Sequence, residues 1–150
     1  MASTLTTTPL TVTITEQLTS NGQVFNYTNE VVLANIKPFD PRVMTIPTSG
    51  AVTVVAFGSA VAAGTFIAAN VKYIRITNKD DTNFIRIRVT VVSGQTFDVK
   101  IDAGKSFIMG NVSESANTNG GAFSAFVSAD NISAQADTAN VDIEYFVASI

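Results

Sequence analysis

Polar and apolar residues alternate with a period of two over most of this chain, and that alternation predicts strands. In residues 10–18, Val12 and Ile14 fall on one face and Thr11, Thr13 and Thr15 on the other. Ser20-Asn21-Gly22 is a turn signal, Val24-Phe25-Asn26-Tyr27 resumes extended structure, and residues 31–36 make a further short strand. Lys37-Pro38-Phe39-Asp40-Pro41 is barred from a helix interior or a central strand, because each proline fixes φ and lacks a donor. Residues 43–46 are extended up to Pro47, and Thr48-Ser49-Gly50 turns again.

The strongest pattern begins at Val71. Ile85, Ile87, Val89 and Val91 point one way while Arg86, Arg88 and Thr90 point the other. Past Ser93-Gly94, Phe97, Val99 and Ile101 alternate with Asp98, Lys100 and Asp102. A two-residue loop would set Val89 opposite Asp98 and mix the faces. A three-residue loop with Gly94 left-handed sets Val89 opposite Phe97 and Arg88 opposite Asp98, so this register is expected. Residues 105–109, 122–129 and 141–150 read as further strands, the last with Val141, Ile143, Tyr145 and Val147 on one face. Residues 110–121 read as a polar loop, and 130–140 as an ambiguous stretch with room for a short helical turn.

Residues 51–69 carry no charge and are apolar enough to suggest a membrane span. Val52, Val54 and Val55 are β-formers, however, two glycines interrupt the run, and its near end lacks an aromatic or basic anchor. Two buried strands, 51–57 and 65–67, are the better expectation, with a membrane-active segment as the weaker alternative. In the first strand Val54 is expected in the core and Val55 on the opposite face.

Composition narrows the class. Eighteen Val and thirteen Ile against four Leu favour a pleated surface over helices. Nine or ten short strands separated by turns point to an all-β, antiparallel β-sandwich, and within that class to a jelly roll. The domain boundaries expected are a flexible or swapped arm at 1–11 and a single sandwich at 12–150; the arm lacks the basic and apolar regions of a secretory signal.

Candidate chemistry is sparse. With no Cys and no His, the chain lacks thiolate nucleophiles, the usual general base at neutral pH and the commonest metal ligands. Gly104-Lys105-Ser106 echoes a phosphate-binding loop, but the position that needs its first glycine is Val99. Asn78-Lys79-Asp80-Asp81-Thr82-Asn83 is rich in oxygens without the spacing of a calcium loop, and the same residues suit a β-turn. Seven of nine basic residues fall between Lys72 and Lys105, read as a solvent face balanced by Asp98 and Asp102 rather than an anion site. A net charge of −3 gives no bulk attraction to nucleic acid. The expectations are therefore no enzyme, no catalytic or metal residues, no cofactor, and no nucleic-acid or membrane partner.

Two segments carry a resemblance. The run Val71-Lys72-Tyr73-Ile74-Arg75-Ile76-Thr77-Asn78-Lys79-Asp80-Asp81-Thr82-Asn83-Phe84-Ile85, followed by Phe97-Asp98-Val99-Lys100-Ile101-Asp102-Ala103-Gly104-Lys105-Ser106-Phe107, resembles small virion structural proteins of tailed bacteriophages, particularly marine ones. In these an IRITN-DD-NFI strand-turn-strand precedes a G-x-S-F strand. The resemblance implies a capsid decoration (cement) or tail protein found in the virion, assembled in the host cytoplasm. It implies a homo-oligomer, trimer favoured, with the major capsid or tail protein as second partner. It brings no catalytic residues, and the chain departs from a full-length fibre in having no stalk. Candidate interaction residues are Val92 and Phe146, apolar on polar sides of strands, and Val55 on the face opposite Val54. An alternative, a receptor- or carbohydrate-binding sandwich on a tail or fibre, would use loop aromatics such as Tyr27, Phe39 or Phe66.

Overall fold

The computed structural model describes residues 6–91, 96–110, 115–116, 124–125 and 129–150. Thirteen strands are present among them: β1 Thr8–Ser20, β2 Gln23–Ile36, β3 Phe39–Ile46, β4 Val52–Phe57, β5 Thr65–Phe66, β6 Val71–Asn78, β7 Ile85–Val91, β8 Thr96–Ile101, β9 Ser106–Met109, β10 Ser115–Ala116, β11 Ser124–Ala125, β12 Ala129–Ala136 and β13 Val141–Ser149. One short 3-10 turn, Ala68–Asn70, precedes β6. Two sheets, β5-β4-β12-β7-β8 and β3-β13-β6-β9, pack face to face as an all-β sandwich, antiparallel but for the short β4–β5 pair. The β1–β2 hairpin stands apart as a two-stranded sheet.

The core between the sheets is filled by the apolar half of each alternation: Ile85, Ile87 and Val89 from one sheet meet Ile74, Ile76, Ile143 and Tyr145 from the other. Register follows the hydrophobic pattern. Val89 pairs with Phe97 and Arg88 with Asp98, the register that keeps apolar side chains together; the loop residues 92–95 lie outside the described residues. So does most of the loop and strand expected at 110–129. β3 is an edge strand, which is where Pro41 can sit without removing a ladder donor from the sheet interior.

Four expectations change. Residues 8–11, part of the flexible or swapped arm expected at 1–11, are the first part of β1, paired to the end of β2. The two short strands expected at 24–27 and 31–36 are one continuous β2, because a solvated ribbon tolerates the polar middle Asn26 to Glu30 that a buried strand would not. The ambiguous stretch at 130–140 holds most of β12, paired to β4 on one side and β7 on the other. Its Ile132, Ala134 and Ala136 face the core; two flanking ladders outweigh the low β-propensity of its small residues.

The fourth correction concerns Val55. Ile132 pairs with Val55 and the next residue, Ser133, with Thr53, so Val54 is an extra residue in β4. Such a bulge breaks strict alternation and turns consecutive side chains the same way. Val54 and Val55 are both buried in one core, and Val55 is no surface residue. Residues 51–69 thus hold β4, β5 and the start of the 3-10 turn, and no helix among the described residues is long and apolar enough to cross a membrane.

Candidate assembly surface

The hairpin turns through Asn21 and Gly22, both left-handed at φ 49° and 77°, the two-residue geometry that matches strand twist. Its register then sorts the side chains. Val12 opposes Val31, Glu16 opposes Tyr27 and Leu18 opposes Phe25, with Ile14 between them, so one face carries an apolar row interrupted by Glu16 and Asn29. The opposite face holds Thr13, Thr15, Thr28, Glu30 and a Gln17–Asn26 side-chain hydrogen bond, with Val24 and Val32 also exposed on it.

Only the base of this row is covered. Leu10, Val12 and Leu33 pack with Ile36 against Tyr73, Ala148 and Phe146 on the outer face of the four-stranded sheet. Between Leu10 and Thr8 the pairing slips by one residue, and Asn35 takes a left-handed φ of 62°. This bulge bends β2 where the hairpin leaves the sandwich. Two backbone bonds, Lys37 N–H to Ser149 O and Ser149 N–H to Pro38 O, then tie the chain to β13. Beyond the base, Ile14, Leu18, Phe25 and Tyr27 are all exposed.

The sheet face that receives the hairpin base continues past it. Phe39 stacks on Phe146 with ring centroids 6.4 Å apart, and Tyr73 meets Phe146 edge-on at 6.1 Å. Phe39, Val43 and Ile108 remain exposed on this face. Arg75, ion-paired with Glu144, is the cation among them. The outer face of the other sheet is polar and internally neutralised. Asp98 accepts two hydrogen bonds from Arg88, at 2.7 and 2.8 Å, and lies 3.8 Å from Arg86, which bonds Gln135. Lys100 pairs with Asp102 at 2.8 Å. Of the seven basic residues between Lys72 and Lys105, Arg86, Arg88 and Lys100 share this face with Asp98 and Asp102, while Arg75 pairs with Glu144 on the other sheet.

The candidate residues divide accordingly. Tyr27, Phe39 and Phe146 all belong to the hairpin-and-sheet surface, Tyr27 and Phe39 exposed and Phe146 partly covered. All three lie on strands rather than loops. Phe66 is buried, Val55 is core, and Val92 lies outside the described residues. Leu18, Phe25, Tyr73, Val43 and Ile108 were missed. Asn21-Gly22 held the signal for two of them: a two-residue turn there puts Leu18 across from Phe25.

The oxygen-rich turn is structural. Asn78, fully buried, donates to Asn83 O and Ile101 O and accepts from Asp80 N–H. Asp80 Oδ1 in turn accepts the backbone N–H groups of Asn83 and Thr82, which hold its carboxyl below the usual carboxylate range. No group of three or more potential metal-ligating side chains occurs among the described residues. Gly104, at φ 67°, turns β8 into β9 rather than cradling a phosphate. An open cleft of 310 Å³ is lined by Phe84, Arg86, Gln135, Ala136 and Asp137. No family model, curated protein or solved structure matches the chain.

Proposed function

We propose that this chain is a non-enzymatic structural protein of a virion, a capsid decoration protein that self-associates and docks on a phage head. The observation that carries the reading is the hairpin. A two-stranded ribbon is marginal in water by itself, and one that exposes an apolar row through Ile14, Leu18, Phe25 and Tyr27 is built to be covered by a neighbour. The strand order supports it. Counting the eight principal sandwich strands in chain order (β3, β4, β6, β7, β8, β9, β12, β13), the sheets run 1-8-3-6 and 2-7-4-5, an order that supports a jelly-roll reading of the sandwich. Jelly rolls recur in capsid and lectin domains, so fold analogy is compatible with assembly without specifying it. The phage assignment rests on the 71–85 and 97–107 resemblance.

A tail-borne glycan-binding sandwich is the second reading, favoured only by exposed Tyr27 and Phe39. Purified particles of the phage that encodes the chain decide between them. Decoration predicts the chain in those particles at high copy number, with sandwich density repeated over the head lattice in an electron-microscopy map. Tail-only density selects the second reading, and absence from purified particles rejects both.

A further inference from the structure

The hairpin and the sheet face beside it meet at the hairpin base, and each leaves apolar residues uncovered beyond it. Leu10, Val12 and Leu33 already pack on Tyr73, Ala148 and Phe146, so these surfaces fit each other in chemistry and side-chain size. Each then runs on uncovered, the hairpin through Ile14, Leu18, Phe25 and Tyr27, the sheet through Phe39, Val43 and Ile108.

We propose that the distal apolar row of the hairpin docks on the uncovered outer sheet face of a second copy of this chain. The proposal rests on the self-association in the functional reading and names the surface that performs it.

Charge argues against another hairpin as the receiver. All nine Lys and Arg lie at Lys37 or beyond, while the hairpin carries Glu16 and Glu30 and no base. Two hairpins packed row to row would bury Glu16 near its copy without a cation, a costly arrangement. The outer sheet face carries Arg75, whose side chain is still 30 % exposed although it is ion-paired with Glu144 and bonded to Thr77, and Asp142 lies on the same face.

Area selects closed symmetry. From Thr13 to Ser20 the ribbon extends about 27 Å and presents a face about 10 Å wide, roughly 270 Å². One such contact buries roughly 540 Å² over both partners, within the range of incidental packing, whereas a reciprocal pair buries roughly 1,100 Å² and reaches the range of specific interfaces. Each copy must therefore give a hairpin to the same partner from which it receives one, in a closed two-fold dimer.

The absence of cysteine makes the test clean. Leu18→Cys and Val43→Cys variants, one mass-tagged, are mixed and treated with a short bismaleimide, with light scattering on the same samples. The expected product links Leu18→Cys to Val43→Cys, and neither variant links to itself. Leu18→Cys linking to itself overturns the proposal in favour of hairpin-to-hairpin packing. An oligomer with no cross-link also overturns the proposed surface but leaves self-association standing, and a monomer overturns both. Leu18→Glu, with an unchanged far-ultraviolet spectrum, is expected to weaken association at least about tenfold by charging a central contact; unchanged association counts against the docking.

Discussion

Asn78 joins the turn between β6 and β7 to the end of β8 through three hydrogen bonds in a fully buried position. Asn78→Ala strips partners from two carbonyls and one N–H group, and is expected to cost about 2–4 kcal/mol in urea unfolding. Three carboxyls are held below the usual carboxylate range: Asp80 on that framework through the N–H groups of Asn83 and Thr82, Asp98 through the Arg88 hydrogen bonds, and Glu144 through Arg75. A carboxyl depressed in the folded state stabilises fully above its unfolded value, about 4, and loses that contribution as pH falls through its folded value. Unfolding free energy is thus expected to be level in this respect above about pH 5 and to drop progressively below about pH 4. Asp98→Asn shallows the acid slope in urea titrations at several pH values; an unaltered slope would show that the Arg88 pair adds nothing to stability.

At the scale of the element, the hairpin and the sandwich differ in what holds them. β12 is clamped between two ladders and a core, whereas β1 and β2 have only each other beyond Val12. Local opening follows buried contacts, so amides between Glu16 and Glu30 should exchange far faster in the unassociated chain than those of β6, β12 and β13. Gly22→Val places a β-branched residue at φ 77°, with an expected local cost of about 1–2 kcal/mol. Hydrogen exchange should register the change in the hairpin alone, with the thermal midpoint of the sandwich unmoved. A shifted midpoint would mean that the ribbon and the sandwich unfold as one unit.

For the whole molecule, shortening the hairpin separates folding from assembly. Replacing residues 13–30 with a two-residue Asn-Gly turn keeps Leu10, Val12 and Leu33 on Tyr73, Ala148 and Phe146. The shortened chain is expected to retain its β-type spectrum and cooperative melt while light scattering falls to the monomer mass. Loss of the cooperative melt would make the ribbon part of the folding unit rather than an assembly arm.

Much of this architecture was legible in the residues themselves. The period-two runs of β6, β7, β8 and β13, the pairing of Arg88 with Asp98 and the confinement of Pro41 to an edge all followed from alternation and backbone chemistry. These are local properties: a strand half-buried on one face carries its orientation in its own side chains. Non-local pairing decided the rest. Val55 entered the core because β12 forced an extra residue into β4, and β12 became a strand because two neighbours offered their ladders. The hairpin's apolar row looked like any other half-buried strand, since alternation marks an apolar face but not whether the fold covers it.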